Sequence, residues 1–361
     1  MENKYKKWVL GTIAAFAIVT LVIIGLVVYV DPFFHYHSPR GNIEYDLYDE
    51  RYQNDGILRS FDYDTIITGS SLTENFRSSV CDEIFGGKSV KIPFSGGSYK
   101  EVSDTLARAF AYKENIKTVI RCLDYDKFFD SKDFVEYSSD TYPVFLYDDD
   151  IVNDVKYVFN KEVLYVALKE LFNVKTTRHS MTSFDDYANQ MSVYAFGRDA
   201  VNDFYSRDPN KKIEPMQQIT EEEYEIIKGN IEQNVIALTK EHPETQFFVY
   251  FSCENIFFKD LRYTMGLTEK YLMAEKYIIE LLLPYENIHV YSFYTDYDQV
   301  YNLDAYHDIA HYDADTCDKI LQWLHDGKGL LTEDNYMDYW EEAYDYYMNL
   351  DYDSVYEELH Q

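Results

Sequence analysis

Two serines follow the first strongly β-prone run of the sequence. Asp64 to Thr68 is short and apolar, Gly69 breaks it, and Ser70 and Ser71 come directly afterwards. A strand that ends in glycine and turns at once into a helix exposes the side chains of the turn at the carboxyl edge of a sheet. The start of the helix also offers free backbone N–H groups, which bind anions. We therefore predict that Ser71 is a nucleophile.

A second polar stretch with matching chemistry lies far downstream. Asp308 and His311 are three residues apart on a predicted loop, just before a predicted helix from Ala314 to Leu324. A histidine that accepts the serine proton, and a carboxylate that orients it, complete a serine triad, which occurs in several chain orders. Asp304 and His307 have the same spacing, so His307 is the second choice for the base.

Taken together, the two stretches resemble the GDSL/SGNH hydrolases. Residues 69–72 resemble the Gly-Asp-Ser-Leu block of that family, with Ser70 in place of the aspartate, and residues 308–311 resemble its C-terminal Asp-x-x-His block. The resemblance covers roughly residues 60–125 and 245–327. It implies serine acyl-transfer chemistry, for which we expect neither a metal nor an organic cofactor.

Donors for an oxyanion are expected beside the serine turn. A Ser-Gly-Gly-Ser run ends the second predicted strand, and the resemblance implies that one glycine N–H stabilises the oxyanion, with Gly97 the first choice and Gly96 the second. A tight turn that needs a positive φ explains both glycines equally well. After the third predicted strand the family has a donating asparagine, whereas this chain has Asp124, whose carboxylate would repel an oxyanion. Ser70, Asn75 and Asp124 complete the predicted oxyanion and substrate-binding set.

Alternatives to catalysis stay open on the sequence alone. Ser71 and Glu74 have the spacing of a capping box, in which the serine would only cap a helix. The missing asparagine also fits a catalytically inactive surface module that binds glycan or a membrane acyltransferase partner.

The N-terminus has the pattern of a membrane anchor. Trp8 to Val30 is an uncharged run of 23 residues, about 34 Å long as a helix, which is enough to cross a bilayer. Three lysines lie within residues 1–7, so we predict that this segment is cytoplasmic and that the rest of the chain is extracytoplasmic. A cleaved signal peptide is the alternative, but the apolar run is longer than usual for one. Residues 8–30 are therefore the predicted contact with the lipid bilayer.

Charge and anchoring limit the partners. A net charge of −31 argues against nucleic-acid binding, which needs a basic face. An external, anchored esterase or O-acyltransferase would act on acyl esters of a cell-surface polymer. The resemblance extends to membrane-anchored proteins of teichoic acid D-alanylation and alginate O-acetylation, and it implies a multi-pass membrane acyltransferase as a partner.

Alternating strand and helix patterns predict an α/β domain. The resemblance implies a three-layer, flavodoxin-like arrangement with a mostly parallel sheet of five strands. The runs that we assign to those strands are 64–68, 88–94, 117–123, 246–252 and 287–292.

The remaining segments complete the predicted domain organisation. Residues 31–62 form a juxtamembrane stalk, and residues 63–327 form the α/β domain. A long, partly helical insertion occupies about residues 126–215, because the chain between the third and fourth strands is too long for an ordinary connection. Residues 328–361 are predicted to be a helical C-terminal extension.

Overall fold

A computed structural model describes residues 2–47, 49–137, 142–174, 183–208, 210 and 212–360. The chain divides into two compact units. The first comprises residues 1–61 and 138–183, and the second comprises residues 62–137 and 184–361. Part of the predicted insertion lies outside the described residues.

The described residues form the following helices: α1 (Glu2–Val30), α2 (Glu50–Ser60), α3 (Ser78–Phe85), α4 (Tyr99–Tyr112), α5 (Val155–Val158), α6 (Lys161–Leu171), α7 (Arg198–Phe204), α8 (Glu221–Ile231), α9 (Ala237–Glu241), α10 (Ile256–Thr264), α11 (Thr268–Leu282), α12 (Tyr297–Val300), α13 (Ala314–Asp326), α14 (Tyr336–Asn349) and α15 (Tyr352–Leu359). They also form these strands: β1 (Thr65–Gly69), β2 (Ser89–Pro93), β3 (Thr118–Leu123), β4 (Gln246–Phe251), β5 (Ile288–Tyr291) and β6 (Leu330–Leu331). A π-helical segment, Glu232–Ile236, joins α8 to α9.

The second unit contains a mixed, mostly parallel sheet in the order β2-β1-β3-β4-β5-β6. All described pairings are parallel except that of β5 with β6, which is antiparallel. The prediction of five strands was therefore one strand short. β6 is only two residues long, and an edge pairing of that length leaves no periodic pattern in the sequence.

Helices cover both faces of this sheet. Each residue of β1 and β2 is buried, which fits the apolar, β-branched composition of doubly covered parallel strands. In the sheet, β2 lies on one side of β1 and β3 lies on the other, so the connections through α3 and α4 run in opposite directions. Since such crossovers are right-handed, α3 and α4 lie on opposite faces of the sheet. α13 packs with α3, and α4 packs with the π-helical segment.

The strand order fixes where a ligand would bind. β1 and β3 are neighbours in the sheet, although β2 lies between them in the chain. In open α/β sheets this reversal of strand order leaves a crevice at the carboxyl ends of the strands. Ser70 and Ser71 follow β1 and Asp124 follows β3, so all three lie at this point.

The first unit is helical in its described residues and contains α1, α2, α5 and α6. α1 is long and apolar enough to span a membrane over residues 3–30. The predicted stalk contains α2, which begins at its N-cap Asp49, whose side chain accepts a hydrogen bond from Tyr52 N–H. The sequence missed this helix because its residues lack a clear apolar stripe.

Candidate active site

Residues 70–73, which carry the predicted nucleophile and are called the nucleophile turn below, begin where β1 ends. Gly69 is required there because a Cβ atom would lie 2.8 Å from the Thr73 side chain and 2.9 Å from Cys122. A short 3₁₀ turn, Ser71–Thr73, follows, and α3 begins only at Ser78. The sequence pattern predicted that a helix would begin directly after Gly69, so this break before α3 was not expected.

Ser70, and not Ser71, caps this turn. The Ser70 hydroxyl accepts a hydrogen bond from Leu72 N–H at 3.3 Å. The capping-box interpretation of Ser71 was therefore wrong. The Ser71 hydroxyl lies 2.8 Å from Nε2 of His311.

His311 lies between the serine and a carboxylate. Its Nδ1 is 2.7 Å from Oδ2 of Asp308, and a carboxylate can only accept this hydrogen bond. The Nδ1 atom therefore carries the proton, and Nε2 is free to accept the hydroxyl proton of Ser71. The side chain of His311 is 25% exposed, so the histidine in this chain of hydrogen bonds is accessible to a substrate.

The carboxylate of Asp308 is itself held in place. Its Oδ1 accepts hydrogen bonds from the backbone N–H groups of Ala310 at 2.8 Å and His311 at 2.7 Å. The loop that carries it is fixed by Asn255, whose side chain donates to the Asp308 carbonyl at 2.9 Å. Asn255 follows β4, so the sheet positions the Asp–His loop from a third strand.

Asp308 and His311 shift each other's pKa. Burial opposes ionisation of each group, but the hydrogen bond and opposite charge between them prevail. The pKa of Asp308 is lowered from its ordinary value, and the pKa of His311 is raised. The charges of Glu74 and Asp124 add to the rise at His311. The imidazole is therefore a stronger base than a free histidine.

Asn75 joins the two loops of the site. Its side-chain NH₂ donates to the Tyr312 carbonyl at 2.7 Å, and its oxygen accepts from Gln190 N–H at 2.8 Å. One N–H of the side-chain amide and its oxygen are thus used. Asn75, which the sequence placed among the oxyanion and substrate-binding residues, here links the nucleophile turn to the His311 loop.

The two glycines after β2 differ in the use of their N–H groups. Residues 94–97 form a turn in which Gly97 N–H donates to the Phe94 carbonyl at 2.8 Å. Gly96 has a φ of +68°, which a glycine adopts without strain. Within the part of the chain that the structure describes, no hydrogen bond uses the N–H of Gly96 or of Ser71. The second choice, Gly96, therefore offers the available donor in this arrangement.

Asp124 is a buried carboxyl with an unusual pKa. Burial raises its pKa to about 7, with a further rise from Asp126 and an opposing hydrogen bond from the Ser70 hydroxyl. Its Oδ1 is buried and has no hydrogen-bond partner among the described residues. Near neutral pH a large fraction of Asp124 is therefore uncharged. The expectation that its carboxylate only repels an oxyanion does not hold for this protonated form.

His307, the second choice for the base, does not contact Ser71. Its ring stacks on His311 with centroids 5.0 Å apart, and its Nε2 lies 3.1 Å from the Gln190 side chain. Its potential partner Asp304 accepts from Arg198 N–H instead. One polar atom from each of His307, Asp308 and His311 lies within 4.8 Å of the others, which would suffice for a metal ion. In the geometry seen here, both nitrogens of His311 are used by Ser71 and Asp308.

Two buried charged groups, Lys91 and Glu74, lie beside the nucleophile turn. Lys91 was missed from the sequence, and Glu74 was considered only as part of a capping box. Lys91 on β2 donates to the carbonyl of Glu74 and, at 2.9 Å, to that of Phe76. These two bonds hold the chain open between the 3₁₀ turn and α3. The carboxyl of Glu74 is also buried, which raises its pKa, and it contacts Gln190 and Ser95. A lysine inside an apolar strand was the one available signal.

Comparison with known proteins adds little to this geometry. No protein-family model matches the sequence, and no curated protein matches it significantly. One solved structure, described as that of a candidate platelet activating factor from Streptococcus pneumonia, aligns with 77% of this chain and 90% of its own length. The identity is 10% and the TM-score is 0.38. A likeness at this level is too weak to carry an argument about function.

Proposed function

We propose that this chain is a membrane-anchored, extracytoplasmic serine esterase or O-acyltransferase of the GDSL/SGNH type. The observation that carries the proposal is the continuous hydrogen-bonded chain from the Ser71 hydroxyl through His311 to Asp308. The sheet order 2-1-3-4-5 of its parallel strands is that of flavodoxin-like folds, and the serine lies at the reversal of that order.

The proposed reaction proceeds in two steps. Ser71 Oγ attacks the carbonyl carbon of an ester while His311 Nε2 takes the hydroxyl proton. His311 then returns that proton to the leaving alkoxide, and an acyl-Ser71 intermediate remains. Water or an acceptor hydroxyl repeats the sequence in reverse, with its proton passing through His311. Asp308 stays ionised throughout and stabilises the imidazolium.

The oxyanion of each tetrahedral intermediate needs donors. We assign the N–H groups of Ser71 and Gly96 to this role, because neither has another partner in the described residues. The protonated carboxyl of Asp124 is the third donor in this proposal. A carboxylic acid kept neutral by burial can donate to an oxyanion in the same way as an amide. Each such donor is worth roughly 2.7–4 kcal/mol in known cases.

The site of action follows from the N-terminal helix. If α1 crosses the membrane with the lysines of residues 1–7 inside, the second unit lies outside the cell membrane. A tethered esterase reaches only substrates close to the bilayer. We therefore propose an acyl ester of a cell-surface polymer as the substrate, with a multi-pass membrane acyltransferase as the partner in transfer.

Hydrolysis of a chromogenic acetate ester by the full chain in detergent tests the proposal. Ser71→Ala and His311→Ala should each lower kcat by at least about 10⁴-fold, since removal of either group abolishes covalent catalysis. Two matched substitutions at exposed positions, Ser131→Ala and His325→Ala, should keep the parent rate. Added acceptor alcohols would separate transfer from hydrolysis through the ratio of the two products.

The inactive surface module remains the competing function. Gly97 N–H and one of the two amide N–H groups of Asn75 already donate hydrogen bonds, which reduces the predicted set of donors. An ester-hydrolysis rate that is unchanged by Ser71→Ala would favour this module. Retention of glycan by the same variant would then identify its ligand class.

A further inference from the structure

The first unit carries an exposed apolar surface where a water-soluble domain would carry polar residues. From Val163 to Phe172, the exposed positions are Tyr165, Leu168 and Leu171 on α6 and Phe172 directly after it. Tyr165, Leu168 and Phe172 are spaced by three and four residues and therefore lie on one face. The opposite face, with Val163 and Val166, is buried.

α6 is therefore apolar on both sides. A helix that is hydrophobic all round is typical of a protein core or a membrane. Charged groups on this part of α6 are turned away from the exposed face. Lys169 is mostly buried and pairs with Asp46, and Glu170 is buried.

The residues ahead of α6 in the chain also expose apolar side chains. Ile151 and Val152 are 82% and 83% exposed, and Phe159 is 45% exposed. A concentration of exposed apolar side chains on a folded protein marks an interaction site. We name the face formed by Ile151, Val152, Phe159, Tyr165, Leu168 and Phe172 the α5–α6 face.

The packing of α1 shows which part of this helix lies beside the α5–α6 face. Val27 of α1 lies in one buried cluster with Tyr157 and Val158 of α5 and with Val163 and Val166 of α6, and Ile23 packs against it. Ile23 is roughly 10 Å along the helix axis from Val30, where α1 ends. Helix α6 therefore lies beside the last two turns of the anchor.

A polar junction marks the end of the anchor at the same level. Asp31 accepts hydrogen bonds from the N–H groups of His35, Tyr36 and His37 and from the hydroxyl of Tyr157 in α5. This fixes α5 next to the point where the apolar run stops and charge begins. Water and lipid headgroups would meet α1 at this point if it spans a bilayer.

We propose that the α5–α6 face is a second membrane-contact surface, buried in the acyl chains of the outer leaflet beside the anchor helix. The packing of α6 against α1 and the absence of exposed charge from Val163 to Phe172 favour lipid over a protein partner, and the exposed charged residues Lys156, Lys161 and Glu162 precede that stretch. α6 would lie at the membrane interface with its buried face on α1 and its exposed apolar face in lipid. The inference does not rest on the proposed catalytic chemistry.

Spin-label accessibility of the full chain in phosphatidylcholine–phosphatidylglycerol liposomes tests this proposal. Single cysteines would replace Tyr165, Leu168 and Phe172, which are exposed, so the core stays intact. The four native cysteines are buried and unpaired, which limits background labelling. Phe204→Cys in the second unit is the matched control, because Phe204 is an aromatic that is 61% exposed.

The expected result is a several-fold higher ratio of oxygen to nickel-chelate accessibility at the three α6 sites than at residue 204, since oxygen concentrates in acyl chains. Equal ratios would overturn the proposal, because the face would then lie in water. Low accessibility to both reagents would also overturn it, because a second copy or another protein segment would then cover the face.

Discussion

At the scale of single residues, the proposed chemistry depends on which side chain carries each proton. Ser71 and Asp308 are joined only through His311, whose Nδ1 proton is fixed by the carboxylate. Asp124 has a pKa of about 7 and lies at the same edge of the sheet. In the proposed mechanism, the protonation states of His311 and Asp124 therefore control the site. Motif spacing and the family resemblance pointed to these positions, but their protonation depends on burial and on the neighbouring charges, which the sequence does not show.

Asp308→Asn should separate orientation from charge. The amide oxygen can still accept the N–H groups of Ala310 and His311, so the loop should keep its conformation. The variant lacks the negative charge that raises the pKa of His311, and that pKa should fall. We expect a loss in kcat on the order of 10⁴-fold. A pH–rate profile with an unchanged acid limb would contradict the assigned pair.

The pH–rate profile of the parent chain should be bell-shaped. His311 must be neutral to accept a proton, so activity rises as the pH passes its raised pKa. Asp124 must be protonated to donate, so activity falls as the pH passes about 7. Asp124→Asn supplies an amide donor at every pH and should remove the alkaline limb. A variant that loses activity equally at all pH values would refute the role of Asp124 as a donor.

At the scale of elements, the site is formed by two loops that meet. The nucleophile turn follows β1, and the His311 loop precedes α13. Asn75 bridges them, and Lys91 holds the turn open before α3. Neither contact follows from local pattern, because each partner is distant in the chain. The sequence pattern therefore predicted a helix directly after Gly69, whereas the structure has a 3₁₀ turn, a break and α3.

Asn75→Ala tests this bridge. Removal of the amide leaves the Tyr312 carbonyl and Gln190 N–H without their partner, which should lower the free energy of unfolding by about 1–3 kcal/mol. A displacement of about 1 Å between Ser71 and His311 would also lower kcat by about 10²-fold. Urea unfolding and ester hydrolysis measure the two effects. Asn349→Ala, an exposed substitution on α14, is the control, and a kcat equal to that of the control would contradict the bridge.

The strands show where sequence patterns succeed. Both ends of each strand from β1 to β5 were predicted to within one residue, because each strand is a short apolar, β-rich run bounded by turn residues. β6 was missed because two residues carry no periodicity. Gly96 and Gly97 could not be ranked correctly, since only the turn at residues 94–97 decides which N–H is already bonded.

At the scale of the whole molecule, α1, the predicted membrane anchor, is also packed into the first unit. Val27 and Val30 are fully buried, and Val27 belongs to the apolar cluster of the first unit. Length, charge and hydropathy predicted a spanning helix. Its structural role was invisible in the sequence, because the residues that cover it lie more than a hundred positions downstream.

Deletion of residues 1–30 should therefore destabilise the first unit more than deletion of residues 1–22. The longer deletion removes Val27 and Val30, and burial of each valine is worth roughly 1.5–3 kcal/mol. Thermal unfolding of both chains in one detergent, with the full chain as reference, measures the difference. Identical unfolding temperatures would show that the last two turns of α1 do not stabilise this unit.

The most direct test of the central claim is covalent labelling of the full chain with a fluorophosphonate, followed by peptide mass spectrometry. Ser71 should carry the adduct, because its hydroxyl is hydrogen-bonded to His311, which Asp308 orients. His311→Ala should abolish the reaction while the protein remains folded. An adduct on a different serine, or none beside a reactive control esterase, would contradict an activated Ser71 and with it the proposed chemistry.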